Sequence, residues 1–298
     1  MNPRLLLLPP LLLLGGAPWP RASAASPGLD GVVAGLVGAS GLKPHTVAVA
    51  VVDPRDGTLL ADHRAFEEMT PASCLKVATT AAAITALGPD HPLRTRLLLV
   101  PPRRGAGPGP MEGDLWLVGG GDPGLSEHGP EGSTLAALDA FAAEASKRGV
   151  RAVAGDLVFD ASYFDGPRVH PTWTDAGASA RWYAAEVDAL TVNDGCVDVT
   201  VEPGAGGARI TLRPETGIVT LVNRVGLTDA RREHGFGFLL SAEGNTLQVS
   251  GKVWTKSSGA TSPAAIHDPA LLCAEQVGRA LARAGIAVAG KIRRPREG

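Results

Sequence analysis

Ser73 and Lys76 carry the first chemical signal in this chain. They lie in Pro71-Ala72-Ser73-Cys74-Leu75-Lys76, at the mouth of an alanine-rich stretch that runs to Leu87. Residues three apart on a helix occupy neighbouring positions of one face. A lysine amine at 76 then reaches a serine hydroxyl at 73 and takes its proton, which makes the hydroxyl a nucleophile. The serine also falls in the first turn, where backbone N–H groups are unpaired and the helix dipole favours negative charge. Ser-x-x-Lys alone is a common string, and the competing reading makes Ser73 an ordinary helix cap with Lys76 solvated.

The elements that must position the pair argue against that reading. Residues 46–52 (Thr-Val-Ala-Val-Ala-Val-Val) are β-rich, Asp53-Pro54-Arg55-Asp56-Gly57 is a turn signal, and residues 58–62 form a second apolar run. Together they predict a hairpin. It leads through Pro71-Ala72 directly into a helix over 73–87, closed by Gly88-Pro89. A short helix over 31–38 precedes the hairpin. Further on, residues 93–100, 114–118 and 153–159 read as strands, and 134–148 as an amphipathic helix. Residues 197–253 alternate short β-like runs with Gly, Pro and Asn, which predicts a small all-β insert. Asp268-Pro269 opens a second clear helix, 270–284, capped by Gly285. The run Gly119-Gly120-Gly121-Asp122-Pro123 lacks the Gly-Lys-Ser/Thr of a phosphate loop and reads as a tight turn.

Bulk properties exclude several classes. With 28 Lys+Arg against 30 Asp+Glu in 298 residues, there is no electrostatic reason to expect a nucleic-acid partner. Arg4, an apolar stretch over 5–14 and the small-x-small site Ala22-Ser23-Ala24 read as a signal peptide, residues 1–24, and hence as export. That stretch is too short to span a bilayer, and no later segment qualifies. Cys74, Cys196 and Cys273 cannot all pair within one monomer; scattered small apolar residues is the favoured reading over one disulfide. The seven histidines show no metal-binding spacing, so a metal site is not expected.

Taken in order, these stretches resemble the D-alanyl-D-alanine carboxypeptidase/endopeptidase family of low-molecular-mass class C penicillin-binding proteins. The likeness is carried by Pro71-Ala72-Ser73-x-x-Lys76 with Thr79-Thr80-Ala81-Ala82-Ala83, and by Gly113-Asp114-Leu115-Trp116-Leu117 with the glycine run after it. It continues in Gly155-Asp156-Leu157 through Asp160 to Phe164-Asp165, in the segment 173–183, and in Asp268-Pro269-Ala270 with Ala284-Gly285-Ile286. It spans residues 32–290. The resemblance implies an α+β chain in which a transpeptidase/β-lactamase-like domain is split by two inserted domains. Residues 25–92 would be its first part, about 93–195 an α/β insert, about 196–255 a small β insert, and 256–298 the return to the first domain.

The resemblance also implies a reaction. Ser73 would attack the carbonyl between the terminal D-alanines of a peptidoglycan stem peptide, with Lys76 as general base and no cofactor, and β-lactams would acylate the same serine. Asp160 would lie at the substrate-side entrance, although a loop Asp capping a turn reads equally well. The location would be periplasmic or extracellular, associated with the cell wall. Enzymes of this kind complete the site with Ser-x-Asn (or Ser-Asp-Asn) and Lys-Thr-Gly, and neither occurs in these 298 residues. Thr191-Val192-Asn193 has the wrong first residue, and Lys256-Ser257-Ser258-Gly259 has one residue too many. The family usually has Asn where this chain has Cys74. The expectation is therefore a C-terminally truncated member with a poorly activated Ser73, or alternatively a non-catalytic peptidoglycan-binding remnant. A compact β-lactamase fails on spacing, since no Ser-Asp-Asn or Tyr-x-Asn follows.

Overall fold

The computed structural model describes residues 27–100, 111–126, 134–171, 173 and 180–296. The signal sequence read at residues 1–24 lies outside them. The chain divides into two compact units at His91/Pro92.

The first unit opens with α1 (Pro27–Ala39), followed by β1 (Val49–Val52) and β2 (Leu59–His63). The strands pair antiparallel, Val49 opposite His63, with a bulge at Val52. Their turn is built as the sequence predicts. The Asp53 carboxylate accepts from the backbone N–H and the guanidinium of Arg55, Asp56 accepts from the Thr58 N–H, and Gly57 takes φ +78°. A small core of Val33, Val37 and Ala61 fixes α1 against the hairpin, with Leu29, Val47, Val49 and Val51 around it. A single 3-10 turn, Ala72–Cys74, then leads into α2 (Leu75–Leu87), which Gly88 ends at φ +86°. No residue of α2 is buried. A helix apolar on all sides belongs in an interior, yet Leu75, Val77, Ile84 and Leu87 are each more than half exposed.

In the second unit, β3 (Arg96–Val100) and β4 (Asp114–Val118) precede α3 (Thr134–Lys147), β5 (Ala152–Val153) and β6 (Leu157–Asp160). The strand expected over 153–159 is thus two strands. Gly155 breaks it, because a Cβ there would collide with the Asp114 side chain and the Gly113 carbonyl. Next come β7 (Cys196–Gly204), β8 (Gly207–Arg213), β9 (Thr220–Thr228), β10 (Gly235–Leu240), β11 (Thr246–Trp254) and β12 (Ala260–Ala265). They form two three-stranded sheets, β12-β7-β8 and β10-β11-β9. The chain then enters α4 (Pro269–Arg283), β13 (Ala287–Val288) and β14 (Ile292–Arg293). Architecture and composition of elements are α+β.

Residues 256–296 differ from the sequence expectation of a return to the first part of the chain, for they complete the second unit instead. β12 pairs with β7, β13 pairs parallel with β5, and β14 adds to the four-stranded sheet β14-β6-β4-β3. The physical reason is α4. Asp268 caps it, accepting from the Leu271 N–H, Pro269 starts it, and Gly285 follows it at φ +76°. Its Ala270, Leu272, Cys273, Ala274, Val277, Ala280 and Leu281 are buried in one continuous core with Leu117, Leu138, Leu157, Val199, Leu247 and Val253. The α/β and all-β parts therefore share a core. Arg293 of β14 ties the sheet at its start, pairing with Asp114 at 3.0 Å and with Asp156. That pairing holds the Asp156 carboxyl below the ordinary carboxylate range.

Candidate active site

Ser73 stands in the 3-10 turn and Lys76 in the first turn of α2, so the hairpin, the Pro71 lead-in and the helix deliver them to adjacent positions. Ala72 takes φ +42°, a left-handed conformation that a residue with a Cβ adopts only at a cost. This strain sits immediately before the nucleophile candidate. Pro71 is helical, and the Cys74 N–H donates to its carbonyl at 2.9 Å, closing the turn that presents Ser73 outward. Every residue from 71 to 80 is exposed. Among the described residues no hydrogen bond joins the Ser73 hydroxyl to Lys76, and nothing buries the lysine. The two are neighbours on an exposed turn.

Asp160 ends β6 within the second unit. Its carboxylate accepts from the Ser162 N–H at 2.9 Å, the turn-capping role, and its carbonyl accepts from the Gly119 N–H at 2.9 Å. It also lines a cavity of about 220 Å³ with Ser162, Phe164, Arg168, Asp188 and Arg294. Of the two roles weighed from sequence, turn capping is the one these contacts show. The glycine run beside it is a tight turn. A Cβ at Gly119 would strike the Ala189 carbonyl, one at Gly120 the Arg94 carbonyl, and one at Gly121, where φ is +75°, the Phe164 ring.

The charged groups around that cavity escaped sequence reasoning. Arg168 reaches Asp188 at 3.5 Å and both Glu186 and Asp268 at 3.9 Å, while Arg294 pairs with Asp268 at 2.6 Å and covers the Phe159 ring at 4.8 Å. The Asp188 side chain is 2% exposed and its Oδ2 accepts no hydrogen bond among the described residues. Burial pushes its carboxyl up, against the pull of Arg168. These residues are 168, 186, 188, 268 and 294, so no local spacing announces them.

A second cavity, about 360 Å³, has Phe164, Trp173, Trp182 and Tyr183 in its wall, with Glu186 and Asp194. Trp182 and Tyr183 meet edge-on at 5.8 Å, and both are more than half exposed. Residues 172 and 174–179 of this aromatic segment lie outside the described ones. The near-miss motif at 191–193 is structural. Asn193 is 1% exposed, sits at φ +51° and donates to the Cys196 carbonyl. All three cysteines are free, Cys74 exposed and the other two buried. Burial pushes the thiols of Cys196 and Cys273 up to about 12. Among the described residues no helix is long and apolar enough to cross a membrane.

Ser-x-x-Lys is a motif of serine enzymes that react with penicillin. The chain belongs to the D-Ala-D-Ala carboxypeptidase 3 (S13) family, whose model matches residues 33–297. It is 32% identical over 276 residues to the D-alanyl-D-alanine carboxypeptidase of Actinomadura sp. (strain R39), which covers 89% of this chain and 46% of that protein. In fold it is similar to penicillin binding protein 4 (dacB) from Haemophilus influenzae, with a TM-score of 0.65 and 22% identity over 82% of this chain and 52% of that one. The same protein complexed with a β-lactam gives a TM-score of 0.59 and 21% identity over 83% and 51%. The chain thus spans about half the length of the relatives it matches.

Proposed function

We propose that this chain carries the nucleophile half of a serine-type D-Ala-D-Ala carboxypeptidase/endopeptidase of peptidoglycan. Ser73 attacks the carbonyl of the terminal D-Ala-D-Ala bond, and the serine proton passes by way of Lys76 to the departing D-alanine amine. Water then cleaves the acyl-serine. A β-lactam forms the corresponding adduct by opening its ring, so no leaving group departs. Asp160 is the candidate substrate-binding residue, as the family resemblance implies. The single observation that carries this reading is Ser73 on an exposed, strained turn, three residues before Lys76, inside the segment matched by the family model. The implied setting is export to the cell wall, and the implied partners are stem peptides and β-lactams.

Residues 1–298 contain no Ser-x-Asn or Lys-Thr-Gly, so the lysine of the latter and its oxyanion-binding strand are not supplied from within them. Loss of one oxyanion donor alone slows acyl transfer about 100- to 1000-fold. We therefore expect residues 1–298 by themselves to acylate slowly. A fluorescent penicillin tests the reading directly. Slow covalent labelling that disappears in Ser73→Ala supports it, and labelling that survives Ser73→Ala refutes Ser73 as nucleophile. A second reading, peptidoglycan binding without catalysis, is favoured by the exposed Trp182 and Tyr183. Pull-down on insoluble peptidoglycan with no labelling at any time would select it.

A further inference from the structure

Two groups of the second unit face each other without the partners their chemistry calls for. Asp188 and Arg168 stand in the stretch between β6 and β7. The Asp188 side chain is 2% exposed. Its Oδ1 accepts from the Ala189 N–H at 2.7 Å, and its Oδ2 accepts no hydrogen bond among the described residues. A guanidinium has five N–H donors. That of Arg168 lies 3.5 Å from the same Oδ2 and 3.9 Å from Glu186 and Asp268, and none of these contacts is a hydrogen bond. A buried carboxylate oxygen without a donor is uncommon, and polar groups held just beyond bonding distance are ordinarily bridged by something between them.

The main chain holds this gap open. The Val187 N–H donates to the Arg168 carbonyl at 2.8 Å, which pins the residue before Asp188 to the one that carries the guanidinium. On the other side, the Gly121 N–H donates to the Ala189 carbonyl at 3.0 Å. Asp188 and Arg168 line one cavity of about 220 Å³, in which Phe164, Val187 and Pro295 supply apolar wall and Arg294 a second guanidinium. Asp188 is its buried end, whereas Arg168 and Arg294 are 40% and 38% exposed. The volume equals that of about seven waters and falls short of the roughly 300 Å³ at which drug-sized sites begin. It suits the end of a side chain rather than a whole peptide.

The unmet groups define the chemistry of the occupant. It must donate to Asp188 and, from a neighbouring atom, accept from Arg168. An ammonium would satisfy the carboxylate and leave the arginine without an acceptor. A carboxylate would satisfy the arginine and be pressed against Asp188. There is no spare positive charge for an anion either, since Arg168 and Arg294 already face Glu186, Asp188 and Asp268. A neutral group avoids the cost of taking a further ion out of water. A primary carboxamide carries N–H donors and a carbonyl acceptor side by side. We propose that this cavity binds a primary carboxamide, its N–H donating to Asp188 Oδ2 and its carbonyl accepting from Arg168, with the attached carbons against Phe164, Val187 and Pro295. Such a group ends an asparagine- or glutamine-like side chain and an amidated peptide terminus. The inference goes beyond the proposed reaction and does not depend on Ser73.

The test is binding of propionamide, propionate and propylammonium to the full chain at neutral pH, followed by nitrogen-15 NMR of the Val187 and Ala189 amides and of Arg168 Nε. Propionamide should move these signals and saturate with a dissociation constant of about 1–10 mM, the scale for so few atoms. Each ion leaves one partner unmet and should bind at least about tenfold more weakly. Asp188→Asn turns the acceptor into a donor, so it should weaken propionamide about tenfold and come to prefer propionate. Arg168→Met, at the exposed mouth, removes the other bond and should weaken propionamide by about the same factor; it decides alone if the buried variant does not fold. Acetylglutamine methylamide and acetylalanine amide separate a side-chain amide from an amidated terminus, and the tighter of the two identifies the carrier. No saturation by propionamide up to about 100 mM means that water alone fills the gap, and overturns the proposal. Equal binding of the three small molecules overturns it as well, as does propionamide binding unchanged in Arg168→Met.

Discussion

Leu281→Ala measures whether residues 256–296 belong to the second unit's core. Leu281 is fully buried on α4, in the same cluster as Leu138 and Leu157, and α4 packs on α3, β6, β13 and β14. Truncation removes three carbons from water-free surroundings, about 2.4 kcal/mol at about 0.8 kcal/mol per methylene. The cavity left behind brings the expected loss to about 3–5 kcal/mol. With a urea slope of about 2–3 kcal/mol/M, the midpoint should fall by about 1–2.5 M. Tryptophan fluorescence is the assay, because residues 27–91 contain no Trp, whereas Trp116 and Trp254 lie on β4 and β11. The matched substitution Ile84→Ala on α2, where Ile84 is 51% exposed, should change stability by no more than about 0.5 kcal/mol. A midpoint shift below about 0.3 M in Leu281→Ala would refute the reasoning. So would an Ile84→Ala loss as large as that of Leu281→Ala, since it would mean that α2 is covered.

Two further predictions rest on ionisation. The native Asp156 carboxyl is held below its unfolded value by Arg293, so the pair stabilises the fold above about pH 4 and that contribution is lost as pH falls through the native value. Urea midpoints measured against pH should therefore decline less steeply in acid for Asp156→Asn than for the native chain, and parallel curves would contradict the assignment. Thiol titration should find Cys74 reactive in the native chain, while Cys196 and Cys273, buried and pushed up to about 12, react only on unfolding. Rapid reaction of all three under native conditions would show that the core described around α4 is open.

Local signals proved legible where one short stretch decides the outcome. The Asp53–Gly57 turn, the Gly88 stop and the Asp268 cap with Pro269 all follow from residues that act on their immediate neighbours. The destination of residues 256–296 was not legible. β13 and β14 are two residues each, too short for any alternation, and their partners lie more than a hundred residues away. The charge network failed for the same reason, since Arg168, Asp188, Asp268 and Arg294 meet only in the fold. At the candidate site, the placement of Ser73 and Lys76 at the mouth of a helix was readable from the pattern, whereas the strain at Ala72 was not. Nothing in Pro71-Ala72-Ser73 announces a left-handed alanine.

The pairing of β14 with β6 sets a timetable for synthesis. Leu157 lies opposite Ile292, so the strand beside β4 receives its second neighbour 135 residues after it leaves the ribosome. At about 5–20 residues per second, that is a wait of roughly 7 to 27 s. Meanwhile β6 presents an unpaired edge whose Leu157, Val158 and Phe159 are all destined for burial. Parallel pairing across such a separation is slow in any case. The nascent chain therefore stays open to a chaperone until β14 arrives.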